Sequence, residues 1–239
     1  MGKNLKKRLE KKRKELQEKS SGGKFFFCKE GITRMRPLPV GDDEEFALEV
    51  VYFYLGNDIK GVVSPSSFGD PCAIMEKYNE MKESKDEDDR GLAKNFSPKK
   101  RYVIPHIRFK DEKGKDIDHE AGAKLALLTS NQYQDVIDTY LDEEYGDFTD
   151  EKDGYDIKYV RTGTGQFDTK YTLRPCKCTK LPKKFRGKLY NPEEMLRKVV
   201  PTYSETEDQI SSYLGIDKEG KKKSKKKKSK KGKKKNKKK

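Results

Sequence analysis

The last nineteen residues, 221–239, hold fifteen lysines and no acid. Such a run cannot fold, because like charges repel and it contains nothing apolar to bury. A compact structure must form from the residues that precede it. The formal net charge of +15 comes entirely from this run, since residues 1–220 hold 41 basic and 41 acidic groups. Residues 1–24 carry ten basic and three acidic groups, which leaves 31 basic against 38 acidic groups in residues 25–220. A mildly acidic body stands between two basic arms. The expected organisation is an arm at 1–24, a core at 25–215 and a tail at 216–239.

The body is long enough for one domain with a core, although only 31% of the chain is hydrophobic where compact soluble proteins carry about 45–50%. No stretch approaches the roughly 20 consecutive apolar residues of a membrane span. The basic N-terminus also lacks the apolar segment of a secretory signal. These features predict a soluble protein of the cell interior with no membrane partner. Cys28, Cys72, Cys176 and Cys178 are too few and too irregular for a disulfide framework, in keeping with a reducing compartment.

Leu5, Leu9 and Leu16 recur among Lys, Arg, Glu and Gln, so the first arm reads as a basic helix with one thin apolar stripe. Ser20-Ser21-Gly22-Gly23 ends it in a joint. Strand-like runs follow at Phe25-Phe26-Phe27, Ile32 to Val40 and Phe46 to Leu55. Asp70-Pro71 opens a helix to about Glu83, and the acidic segment Glu83 to Asp89 reads as an exposed, mobile loop. Arg101 to Phe109 is the next strand, with a turn over Asp111 to Lys115, and Ser130 is the expected N-cap of a helix that stops near Gly146. Tyr155 to Arg161 and Phe167 to Arg174 alternate as two strands joined at Gly163-Thr164-Gly165. Short helices over Pro192 to Val200 and Glu205 to Leu214 close the body. The order predicts a mainly β, α+β domain: an antiparallel barrel of the OB type with inserted helices and disordered basic termini.

Cations and rings coincide on these strands: Arg34 and Arg36; Lys99, Lys100, Arg101 and Tyr102; Arg108 and Phe109; Lys158, Tyr159 and Arg161; Lys170, Tyr171 and Arg174. Unpaired nucleic acid calls for that combination, because phosphates attract cations while exposed bases stack on aromatic faces. The acids concentrate instead at Asp42 to Glu45, Glu83 to Asp89 and Asp142 to Asp153, in predicted loops or at a helix end. A basic groove rimmed by acidic loops would favour a flexible single strand over a duplex. The competing reading is structural: a β-rich domain without Trp must build its core partly from its 13 Tyr and 11 Phe.

Catalytic and metal readings are weak. Cys176-Lys177-Cys178 has a single intervening residue, where paired zinc ligands are usually about two to four apart. His106 and His119 stand in no motif. Asp42-Asp43 and Asp88-Asp89 lack a companion phosphate loop or nucleophile. The expectation is a protein that is not an enzyme and uses no metal or cofactor.

The order of segments resembles the phage single-stranded-DNA-binding proteins, the helix-destabilising protein family of T-even phages and relatives, over about residues 1–215. The resemblance is carried by Gly22 to Phe26, Glu30 to Pro39, Gly69 to Ile74, Ser97 to Tyr102 and the step from Gly146–Asp150 to Gly154–Ile157. It implies an OB-fold that coats single strands in replication, recombination and repair, in the cytoplasm of a host cell. It also implies an N-terminal arm that joins neighbouring copies, here Lys3, Lys6, Lys7, Arg8, Lys11, Lys12, Arg13 and Lys14. The implied groove draws on Arg34, Arg36, Lys100, Arg101, Tyr102, Tyr159, Arg161 and Tyr171.

Two features depart from the family. The Cys/His set does not match the zinc site of the T-even protein. The tail is basic where the family's is typically acidic and recruits replication proteins, so that partnership does not carry over. A lysine tail would instead sample phosphates, or act as a nuclear address. The alternatives are an RNA-binding or ribosome-associated factor worked by the basic arms, and a nuclease.

Overall fold

The computed structural model describes residues 25–26, 30–41, 45–55, 61–110, 122–163 and 168–216. Expectations placed on the two arms, on Phe27 and Cys28, on Asp42-Asp43, on the 111–115 turn, on His119 and on Phe167 lie outside them. Eight strands are described: β1 (Phe25–Phe26), β2 (Gly31–Pro37), β3 (Leu48–Phe53), β4 (Val62–Val63), β5 (Lys99–Lys110), β6 (Lys124–Leu128), β7 (Tyr155–Thr162) and β8 (Lys170–Cys178). The α-helices are α1 (Ala73–Glu83), α2 (Glu87–Asn95), α3 (Ser130–Leu141), α4 (Pro192–Arg197) and α5 (Tyr203–Leu214).

The twelve-residue β5 organises the sheet. One of its edges pairs with β6 through Tyr102 to His106. The other pairs with β3 through Lys99 to Val103 and with β2 through His106 to Lys110. Pro105 stands at the change of partner, where its missing N–H leaves no ladder donor unmet, and its carbonyl accepts from Leu38 N at 2.9 Å. Beyond β2 lie β7 and then β8, all antiparallel, while β1 joins β6 in parallel.

The fold is α+β with a largely antiparallel sheet, as the sequence predicts, but the sheet is not closed into a barrel. Among the described strands β8 pairs only with β7. Helix α3 lies against β5, β6 and β8. Its Val136 enters a core with Met35, Ile104, Ala126, Leu128, Phe148, Tyr155, Ile157 and Tyr159. A second cluster packs α1, α2 and α5 behind Phe53, and a third sets Leu196 of α4 on Val50, Tyr52, Val103 and Leu125.

Several local expectations are corrected. Glu87, Asp88 and Asp89 are the first turn of α2, whose cap Asp86 accepts from Asp88 N. Acids are favourable beside the unpaired N–H groups of a helix start, so this charge run stabilises a helix there. Helix α3 is capped by Thr129, not Ser130, in a reciprocal box with Gln132, and it ends at Leu141. Strand β8 starts at Lys170 and runs on to Cys178. Ile216 still bonds back to Ser211 O, so the cap of α5 extends into the segment assigned to the tail.

Candidate nucleic-acid interface

Directly opposed residues of antiparallel strands share a face, and successive residues alternate between faces. The β2–β7 and β7–β8 registers align Arg34, Lys158 and Arg174 in one transverse row. Strands lie about 4.8 Å apart, so the row spans roughly 10 Å. The next row on this face is Ile32, Val160 and Thr172, and Thr162 with Lys170 follows. Lys158, Arg174 and Lys170 are exposed, and Ile32 is 46% exposed, a large amount for an apolar strand residue. The Phe109 ring lies 5.9 Å below the Arg34 guanidinium. The opposite face of β7 is the core side, carrying Tyr155, Ile157 and Tyr159.

One carboxylate lies under this row. Asp156 is buried, and its Oδ2 accepts from Arg34 Nε. Its Oδ1 accepts from the Thr179 hydroxyl at 3.3 Å and lies 3.5 Å from Arg36 Nη1. Arg36 also donates to Thr179 O at 2.9 Å and Asp150 O at 2.6 Å. Burial lowers its pKa, and the Asp156 charge opposes that shift. Gly154 permits this closure: a Cβ there would come within 2.6 Å of Arg36 Nη2 and 2.4 Å of Asp150 O. Cys176 lies close by. Burial pushes its thiol pKa up, while Arg34 and Lys158 pull it back.

Rings and guanidinium groups meet at the ends of the strands. Arg101 lies over the Tyr52 ring and Arg161 over the Tyr171 ring, each at 5.8 Å. Burial lowers the Arg101 pKa, with Tyr52 and Tyr171 both close enough to offset part of the shift. The same burial pushes Tyr52 up to about 12. Tyr171 is 36% exposed and Tyr54 is 53% exposed. Tyr54 and Ile32 are absent from the sequence-derived set, whereas Phe109 stands there beside Arg108 and meets Arg34 instead. Only the position of Tyr54 two residues beyond Tyr52, in the same alternating run, pointed to it.

Other expected contacts are occupied or withdrawn. Lys99 is exposed. Lys100 pairs with Glu49 at 2.9 Å, and Tyr102 donates to the same carboxylate at 3.0 Å while its ring stacks on Tyr133 at 4.1 Å. Those two hydrogen bonds hold Glu49 below the usual carboxylate range. Arg108 is half-buried. Tyr159, 2% exposed, is sealed in the core, because the alternation of β7 turns it inward. Arg36, 1% exposed, is covered by the Asp150–Gly154 segment and Thr179. Neither can touch a ligand in this arrangement, which corrects both assignments.

Among the described residues no group of three or more His, Cys, Asp or Glu side chains is placed to hold a metal ion. His106 lies wholly buried in β5, where desolvation pushes its pKa down to about 3. Asp88 and Asp89 belong to the start of α2. No described helix is long and apolar enough to cross a membrane.

No curated protein matches the chain. The model of a family described as gp32 DNA-binding-protein-like matches residues 29–214. That span takes in β2 to β8, hence all three cations of the row and the residues beneath them. Because the match covers most of the chain, and agrees with the resemblance read from its segments, the chain belongs to the gp32 DNA-binding-protein-like family.

Proposed function

We propose that this protein binds single-stranded DNA with little sequence preference, coating and protecting it during phage DNA replication, recombination and repair, without enzymatic activity. The observation that carries the reading is the row Arg34–Lys158–Arg174 on an open sheet face beside exposed Ile32 and the Phe109 ring. Cations in a line follow a phosphate backbone, and the apolar and aromatic groups next to them suit unstacked bases, which a duplex does not offer. Lys170 continues the path on this face, while Arg161 and Tyr171, on the other face of β7 and β8 beyond the end of the core, serve with Arg101 and Lys99 a strand that passes round the strand ends. The platform is an open relative of the OB arrangement. Residues 1–24 serve as the arm that meets a neighbouring copy on the strand, and the lysine tail adds contacts to phosphate that are indifferent to sequence.

The test is a titration of the full chain, and of a chain lacking 221–239, with oligo-dT, oligo-U and duplex DNA at two salt concentrations. Retained binding to oligo-dT without the tail, and weaker binding to duplex, is the expected result. Binding that disappears with the tail would transfer the activity to the lysine run and favour an RNA-directed or ribosome-associated role. Cleavage dependent on Mg²⁺ would contradict the absence of enzymatic activity.

A further inference from the structure

We infer that Asp156 is a positioning residue for phosphate recognition, holding Arg34 by its Nε so that the rest of the guanidinium meets a nucleic-acid phosphate beside Lys158. The inference rests on the single-strand reading and assigns the device that orients one of its cations. A buried carboxylate beneath a phosphate-binding row is unexpected, since it repels the ligand and is itself unfavourable unless fully paired.

Its geometry gives it two separate tasks. Oδ1 is fixed from below by the Thr179 hydroxyl and Arg36, and Arg36 is anchored in turn to Thr179 O and Asp150 O. This leaves Oδ2 aimed at Arg34 Nε. Nη1 and Nη2 of Arg34 make no hydrogen bond among the described residues, and the side chain remains 33% exposed over the Phe109 ring. A guanidinium offers two further donor positions once its Nε is engaged, which is the fork that fits a phosphate. Two arginines share one carboxylate, so the cluster keeps a net positive charge. Holding the side chain in its binding geometry beforehand lowers the ordering cost of association.

Simple electrostatics and this inference predict opposite signs. If Asp156 acts only by its charge, Asp156→Asn removes a repulsion and tightens binding to oligo-dT. If it positions Arg34, the same change weakens binding. Loss of one phosphate contact cuts the slope of log K against log salt by about 0.7, which is roughly fivefold in affinity at ~0.1 M salt.

The experiment measures oligo-dT affinity of the full chain over a range of salt, with thermal melting to establish folding. Asp156→Asn and Arg34→Gln should each show that loss and that change of slope, and the double variant should lose no more than Arg34→Gln alone. Equal or tighter binding by a folded Asp156→Asn overturns the inference. Should Asp156→Asn fail to fold, Arg34→Lys decides. That variant keeps the charge but lacks Nε, so a loss matching Arg34→Gln supports the clamp and wild-type affinity overturns it. A wild-type chain that does not bind oligo-dT overturns the single-strand reading itself, and the inference with it.

Discussion

Replacing Arg34, Lys158 and Arg174 together by glutamine lowers affinity for oligo-dT on the order of 100-fold at ~0.1 M salt and cuts the slope of log K against log salt by about 2. Each phosphate neutralised by a side chain releases condensed counterions, and for single strands each contact contributes about 0.7 to that slope. The three residues are the cations that the β2, β7 and β8 registers bring into one row. Lys158 and Arg174 are exposed, so their loss leaves the core intact. The same number of glutamines placed in the lysine tail should change affinity for single strands and duplex alike. The row substitutions should act mainly on single strands. Lys100→Gln should do less than any member of the row, because Glu49 already holds that ammonium.

The second large effect falls on stability. Tyr159→Ala opens a cavity among Met35, Ile157 and Phe148 and should destabilise the fold by about 3–5 kcal/mol, the usual cost of deleting a buried ring. Tyr171→Ala removes an exposed ring that lies under Arg161, and its melting temperature should scarcely move. Its effect belongs to binding, about 1–3 kcal/mol if a base stacks there. Denaturant unfolding and oligo-dT titration of both variants separate the roles. A Tyr159→Ala protein of unchanged stability would contradict the burial of that ring. A Tyr171→Ala protein of unchanged affinity would remove Tyr171 from the binding path.

These two tyrosines also show what the sequence could convey. Alternation along Tyr155, Ile157, Tyr159 and Arg161 reveals that these residues share a side, and the strand forms where that pattern predicts. Alternation alone does not say which side meets the core. The answer comes from Met35, Ile104 and Val136, brought together from three distant elements. Once that side is inward, Lys158 and Arg174 are outward with Arg34, and Tyr171 is exposed only because it lies beyond the end of the core.

Arg36 illustrates the same limit. It shares a face with Arg34 by simple alternation, yet the Asp150–Gly154 turn and Thr179 close over it, and that closure depends on contacts more than 110 residues apart in sequence. Thr129 and Asp86 were within reach of local rules, since both are ordinary capping residues at helix starts. The open sheet was not, because strand pairing and the packing of α3 against β5, β6 and β8 join elements distant in sequence.

On the proposed reading an unpaired strand lies on the outer face of β2, β7 and β8. Photocrosslinking of the full chain to oligo-dT carrying 4-thiothymidine, with the attachment sites mapped by mass spectrometry, tests it most directly. Crosslinks are expected in peptides that contain Ile32 to Arg34, Phe109, Lys158 to Val160 and Thr172 to Arg174. Crosslinks confined to residues 1–24 and 221–239, with that face unmarked, would contradict it.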